Sequence, residues 1–225
     1  MTGRMRIAID GPAAAGKSTI AKLVAKKLGF TYIDTGAMYR AITYKVLQHA
    51  VDLHDEEAIA KLIEKTDIEL HPSEHAQQVI LDGVEVTDVI RSHEVTSTVS
   101  AIAALTSVRK LLVAKQQGLA AHSSVVMDGR DIGTAVLPDA ELKVFMTASV
   151  EERAQRRFLE EQSRGITTDY ETLKREISER DLADSEREIS PLKKAEDAII
   201  LDTTGKTIEE VTSSIVKYAE ERYPR

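Results

Sequence analysis

Met5-Arg-Ile-Ala-Ile-Asp10 runs directly into Gly11-Pro-Ala-Ala-Ala-Gly16-Lys17-Ser18-Thr19, and this junction decides the fold. The first segment is a short apolar run ending at an acid, the pattern of a buried strand. Gly11 to Ser18 fits G-x-x-x-x-G-K-[ST] at every fixed position. Beyond it, Ile20, Leu23, Val24 and Leu28 recur at amphipathic-helix spacing, and Gly29 stops the helix. The order strand, glycine loop, helix is the context in which this motif has a physical meaning. Glycines let backbone N–H groups wrap phosphates, and the helix N-terminus adds partial positive charge. Lys17 then reaches the outer phosphates, and the Ser18 hydroxyl is the expected ligand of Mg²⁺. A tight turn with an incidental lysine is the competing reading, and the flanking strand and helix weigh against it.

Outward from the loop, further strands are expected at Thr31–Ile33, Ser124–Met127, Glu141–Met146 and Ala198–Leu201. Helices are expected over 38–48, 56–64, 95–119, from Ser149 to about Gln162, 171–184, and from Thr207 to about Tyr218. Ser149 with Glu152 and Thr207 with Glu210 have capping-box spacing. Strands alternating with helices predict an α/β fold of P-loop NTPase type, a five-stranded parallel sheet flanked by helices. One stretch departs from the alternation. Ile68–Leu70, Gln78–Leu81 and Val84–Val86 read as short strands, with Asp82-Gly83 as a hairpin turn. A small antiparallel β insertion is therefore expected at 66–92 within a single domain, 1–225. No internal repeat or long linker interrupts it.

Composition removes several classes. The chain has 225 residues with 30 Lys+Arg against 37 Asp+Glu, a net charge of −7, whereas a general nucleic-acid binder should carry a basic excess. Nine aromatics (three Phe, six Tyr, no Trp) leave little for a base-stacking platform. With no Cys, disulfides, thiolate metal sites and a cysteine nucleophile are excluded. Without Asn, the guanine-reading N-K-x-D motif cannot be present. Met1 to Arg4 is a short polar tail with no signal-peptide character, and no stretch approaches the ~18 apolar residues of a membrane span. A cytoplasmic location with no nucleic-acid or membrane partner is the expectation.

Two further constellations bear on the chemistry. Asp34-Thr35-Gly36-Ala-Met-Tyr39-Arg40 follows the second strand and puts a Tyr and an Arg on the first turns of a helix. Asp128-Gly129-Arg130-Asp131 follows the third, where a Walker-B-type carboxylate stands. Because carboxyl ends of strands line the ligand crevice in such sheets, both motifs should converge on the phosphate loop. Arg153, Arg156 and Arg157 are spaced to share one helix face. Arg180, Asp184 and Arg187 would share another if their helix continues that far. Local ion pairs with Glu151, Glu152, Glu160 and Glu161 are the plain alternative for the first group. Phosphoryl transfer between two polyanions is the functional one.

At these residues the sequence resembles the bacterial cytidylate kinase family, P-loop nucleoside monophosphate kinases acting on CMP and dCMP. The resemblance is carried by IAIDGPAAAGKST, YIDTGAMYRA, VVMDGRDIGT, ASVEERAQRR and the segment from Arg180 to Leu192, over essentially the whole chain. It implies ATP bound by Gly11, Pro12, Ala13, Ala14, Ala15, Gly16, Lys17, Ser18 and Thr19, with Lys17 bridging to the transferred group. It implies Tyr39 and Arg40 at the acceptor phosphate, Thr35 at the pocket, and Ser100, Arg109 and Asp131 on cytosine. Asp128, Gly129 and Arg130 belong to the acceptor side, with Arg130 on the CMP phosphate. Arg180, Asp184 and Arg187 serve sugar and phosphate, with Asp184 on ribose. A helical lid over 150–187 would carry Arg153 and Arg157, which join Lys17 and Arg130 as catalytic cations. Many relatives have Gly where Ser18 stands; Ser is the commoner form of the motif. A monomer acting on ATP, CMP and dCMP with Mg²⁺ is expected.

The chemistry of cytosine agrees with this. Its N4 donates and its N3 and O2 accept, so a carboxylate such as Asp131 suits N4 and faces an acceptor instead in uracil. A kinase of another small acceptor, a regulatory ATPase and a passive nucleotide binder are the alternatives at this stage.

Overall fold

The computed structural model describes residues 4–73, 77–163 and 165–223. Residues 1–3, 74–76, 164 and 224–225 lie outside the described residues, and with them parts of the expected tail, insertion and lid. The chain divides into two units, Met1–Tyr32 with Ser123–Arg225, and Ile33–His122.

In the first unit, β1 (Arg6–Asp10) is buried at four of its five positions, which is why its sequence is a continuous apolar run. It is the middle strand of a five-stranded parallel sheet ordered β2–β6–β1–β7–β8. The other strands are β2 (Thr31–Asp34), β6 (Val125–Gly129), β7 (Leu142–Thr147) and β8 (Ile199–Asp202). Asp10 stands level with Gly129 on one side and Phe145 on the other. The glycine loop and the Asp128–Asp131 segment therefore leave the sheet side by side at its carboxyl edge. Ile7, Ile9 and Val144 share a core with Ile20 and Val24 of α1 (Lys17–Leu28) and Ile215 of α8 (Ile208–Arg222). Thr207 and Glu210 close both halves of the capping box at the start of α8, as their spacing predicts.

The second unit has its own core, built around Met38, Ile42, Ile59, Ile102 and Leu112. It holds α2 (Thr35–Gln48), α3 (Glu56–Ile63), α4 (His93–Ala104) and α5 (Thr106–Ala120). The expected antiparallel insertion is a three-stranded sheet of β3 (Ile68–His71), β4 (Gln78–Leu81) and β5 (Val84–Glu85). Asp82 and Gly83 turn its hairpin with φ of 50° and 81°.

Several expectations need correction. Helix α2 begins at Thr35, because the Ala37 N–H donates to the Asp34 carboxylate at 2.8 Å and caps it there. The stretch 95–119 is two helices bent by 95°, broken at Leu105 with ψ of 130°. The Ser107 N–H at the start of α5 donates to Glu56 Oε1 at 2.9 Å, a partner 51 residues away that periodicity cannot register. A π-helical turn, Ile132–Val136, follows the Asp128–Asp131 segment where no element was expected. The Ser149–Glu152 box forms by half at the start of α6 (Val150–Ser163): the Glu152 N–H reaches Ser149 Oγ at 3.1 Å, while its carboxylate takes Arg156. Helix α7 (Tyr170–Ser185) ends before Arg187, so that residue is not on its face. Among the described residues no single helix is long and apolar enough to cross a membrane.

Candidate active site

The glycine loop is shaped by contacts that only its glycines permit. A side chain on Gly11, at φ 152°, would place its first carbon 2.2 Å from the Met146 carbonyl of β7. Gly16 takes the left-handed conformation at the N-terminus of α1, where no side chain caps the helix and no acid sits in the first turn. That leaves an amide-rich, uncapped helix start, the arrangement that accepts phosphate.

Lys17 is buried, and its ammonium donates to the Pro12 carbonyl at 2.7 Å across the loop. Burial pushes its pKa well below the ordinary lysine value, and the neighbouring charge of Arg130, with that of Arg180, pushes it further. Asp128 and Asp10 pull the other way. Ser18 Oγ donates to Asp128 Oδ2 at 2.7 Å, and the Tyr32 hydroxyl donates to Oδ1 at 2.9 Å. Asp128 thus faces the loop that carries Ser18. A hydroxyl and a carboxylate in contact are hard oxygen donors of the kind Mg²⁺ takes from protein when phosphates and water complete its shell. Among the described residues no group of three or more His, Asp or Glu offers a fuller metal site.

Beside the loop, Asp184 is buried and shared between two guanidiniums. Arg130 Nε donates to its Oδ2 at 2.7 Å, and Arg187 Nη2 donates to Oδ1. Burial alone would raise the Asp184 pKa, but Arg130, Arg187 and Arg180 together hold it below the usual carboxylate range. Asp131 is buried at the end of the same segment. Spacing groups Asp184 with Arg187, and the family resemblance adds Arg130; the structure brings all three into contact.

The α6 arginines are already occupied. Arg153 is buried, donating to the Ala13 carbonyl at 3.0 Å, to the Ala148 carbonyl at 3.1 Å and to Asp181. Asp181 also accepts the Ala13 N–H at 3.0 Å, so the pair grips both polar groups of one loop residue. Arg156 holds the Thr203 carbonyl at 2.9 Å and Glu152 at 3.0 Å. Arg157 pairs with Glu161 at 2.8 Å and Glu160 at 3.7 Å.

In the second unit, Asp34 caps α2 with Oδ1 while Oδ2 lies 3.4 Å from Arg40 and 3.5 Å from Arg91. Gln77 Oε1 accepts the Asp34 N–H at 2.9 Å. Arg109 is buried, donating to the Ala103 carbonyl at 2.9 Å with its guanidinium 5.6 Å from the Tyr39 ring centre. Thr35 is buried at the head of α2, and Ser100 is half-buried on α4.

The family model described as Cytidylate kinase matches residues 7–221, nearly every segment just described. The chain belongs to the cytidylate kinase family. It is similar to the cytidylate kinase of Geobacillus sp. (strain WCH70), 59% identical over 222 residues, covering 99% of each chain. That of Bacillus subtilis (strain 168) is 55% identical over 222 residues, again 99% of each. A crystal structure of an uncharacterized protein from Eubacterium ventriosum ATCC 27560 shares the fold, with a TM-score of 0.55 at 14% identity over 97% of this chain and 99% of that one.

Sequence reasoning did not single out Asp10, Asp181 or Arg91, which contact residues that it did name or their immediate neighbours. Asp10 lay inside the quoted junction, as the one acid in an otherwise apolar strand. Asp181 and Arg91 meet their partners through contacts 168 and 57 residues apart, with no local signal.

Proposed function

We infer that this chain transfers the γ-phosphoryl group of ATP to CMP or dCMP, giving ADP and CDP or dCDP. Family membership over residues 7–221 carries the substrate class, and it disfavours a regulatory ATPase or a kinase of an unrelated acceptor. The structural observation that supports it best is the uncapped, amide-rich start of α1 with Lys17 buried in it, its pKa lowered by burial and by the charges of Arg130 and Arg180. Like charges gathered in a buried place are unfavourable until a polyanion joins them.

Residues 11–19 would hold the ATP phosphates, and Ser18 with Asp128 would hold Mg²⁺. Bound there, the ion would neutralise charge on the phosphate oxygens. Arg130, Arg180 and Arg187 are assigned to the acceptor phosphate, Asp184 to the ribose, and Gly129 and Asp131 to the same nucleotide. In the second unit Thr35, Tyr39 and Arg40 are assigned to the acceptor, and Ser100 and Arg109 to cytosine. The acceptor is already a phosphate dianion, so no general base is required; positioning and charge neutralisation suffice. Arg153 and Arg157 remain assigned to a lid formed from 150–187, whose closure would keep water from competing as acceptor. To reach a nucleotide, Arg157 must exchange its Glu160 and Glu161 partners for phosphate. A monomer acting on free nucleotides suits these assignments.

A coupled ADP-release assay over CMP, dCMP, UMP, AMP and GMP, with and without Mg²⁺, tests the reading. Rapid turnover of CMP and dCMP that requires Mg²⁺ is expected. Steady ATP hydrolysis indifferent to CMP would overturn it.

A further inference from the structure

We propose that Asp10 is a positioning residue for phosphoryl transfer, holding the Gly129–Arg130–Asp131 segment against the base of the phosphate loop through the Ile132 and Gly133 amides. The proposal rests on the assignment of Arg130 and Asp131 to the acceptor nucleotide made above.

Asp10 is the last residue of β1, and its main chain continues directly into Gly11. Its side chain is 4% exposed, and each carboxylate oxygen accepts one N–H: Oδ1 from Ile132 at 2.8 Å and Oδ2 from Gly133 at 2.7 Å. These amides open the π-helical turn Ile132–Val136, where a helix start has no internal partners for its N–H groups. The Asp131 carbonyl, in turn, accepts the N–H groups of Ala135 at 2.8 Å and Val136 at 3.2 Å. Asp131 is thus fixed from both sides, by its own carbonyl in the turn and by the two following amides on Asp10. One residue leads into the donor loop through its backbone and anchors the acceptor segment through its side chain.

The chemistry calls for a carboxylate. An amide side chain offers a single acceptor oxygen and would leave one of the two buried N–H groups without a partner. Space calls for glycine at 133. A first side-chain carbon there would lie 3.3 Å from Asp10 Oδ2 and 3.1 Å from Lys143 Cδ. Both oxygens of Asp10 are committed to amides and the acceptor needs no base, so the residue acts through Arg130 and Asp131.

The test compares Asp10→Asn, Gly133→Ala and Arg130→Ala, measuring kcat and KM for CMP at saturating ATP, KM for ATP at saturating CMP, and thermal melting of each variant. Gly133→Ala presses on the Asp10 carboxylate without altering any charge, and it keeps the question answerable if Asp10→Asn does not fold. Expected for both is a loss of about tenfold in kcat/KM for CMP, with KM for ATP within about twofold of wild type. A simple loss of folded protein would lower the amplitude for both substrates alike and leave both KM values in place. Unchanged CMP kinetics in folded Gly133→Ala, or equal losses for CMP and ATP, overturn the proposal. If those results accompany an impaired Arg130→Ala, the acceptor assignment stands and only the role of Asp10 falls. If Arg130→Ala itself leaves CMP kinetics intact, the assignment falls and takes the proposal with it.

Discussion

Replacing Asp184 by Asn removes a charge that the structure places between two guanidiniums. The Asp184 side chain is 1% exposed, Arg187 is 7% exposed and Arg130 is 18% exposed, so solvent does little to screen the loss. Removing one partner of a buried pair costs about 3–5 kcal/mol, because the other charge stays buried without its counterion. Asn keeps the shape and one acceptor oxygen, and Arg130 keeps some contact with water, which places the variant near the lower end, about 3 kcal/mol. For a chain of this length that corresponds to a fall in Tm of about 6–12 °C. The arginines hold the Asp184 pKa below the ordinary range, so its contribution is present above about pH 4 and fades as the pH drops through the folded value. The Tm gap between wild type and variant should therefore narrow in acid. Differential scanning calorimetry at neutral and at acid pH, the neutral runs repeated with added inorganic phosphate, reads these effects. Phosphate should raise the Tm of the variant more than that of the wild type, because it supplies the missing anion. A Tm within about 2 °C of wild type, or equal stabilisation of both proteins by phosphate, would refute this reasoning.

Arg130→Ala is expected to lower turnover with CMP by about two orders of magnitude or more while ATP binding, measured by calorimetry, largely survives; near-normal turnover removes its assigned role. Asp131→Asn should relax the preference for CMP over UMP, since the variant side chain can donate to the uracil carbonyl; an unaltered ratio of kcat/KM values would count against a base-reading role. Ser18→Ala should raise the Mg²⁺ concentration needed for half-maximal rate several-fold with the fold intact, and an unshifted Mg²⁺ titration removes Ser18 as a ligand. Burial pushes the Asp10 carboxyl up to about 6, with Asp131 adding to the rise and the Gly133 and Ile132 amides and Lys17 opposing it. The folded state then holds that proton more tightly than the unfolded chain, and stability grows as pH falls from about 6 to about 4. The Tm of wild type minus that of Asp10→Asn should increase from about pH 7 to about pH 5, and a constant difference would rule the assignment out.

What the sequence made legible was local. The junction at residues 5–19 announces itself because strand, loop and helix are contiguous, even though the contact that demands Gly11, the Met146 carbonyl, comes from β7. The Asp82-Gly83 turn is equally local. The misreadings lie where a distant partner decides. The break at Leu105 sits inside an apolar run that carries no stop signal, and Glu56 supplies the cap that lets α5 start afresh. The π-turn depends on an acid 122 residues upstream. Spacing puts Arg187 on the Asp184 helix face only if the helix continues that far; it ends sooner, and Arg187 reaches Asp184 from beyond its end. Glu152 supplies its N–H to the Ser149 cap, but its carboxylate serves Arg156, because a guanidinium one turn away competes for it.

The arginine pairs also distinguish two uses of the same residue type, which the net charge of −7 conceals. Asp184 takes Arg130 and Arg187, and Asp34 takes Arg40 and Arg91. Each of these carboxylates has two guanidiniums within reach, and both clusters belong to the proposed acceptor side. The contacts to Asp34, at 3.4 and 3.5 Å, are long for charge-assisted hydrogen bonds, which suits a site whose proper counterion is a phosphate. Arg153 pairs with Asp181 and Arg156 with Glu152, while Arg157 lies against Glu160 and Glu161, the latter also accepting from the Thr168 hydroxyl. A phosphate would reach these guanidiniums by displacing the carboxylates they already hold. The acidic surplus of the chain therefore does not oppose binding of polyanions. Local placement sets the field: paired guanidiniums stand where we propose that the acceptor phosphate binds, whereas on α6 Arg153 with Asp181 ties the helix to Ala13 of the phosphate loop.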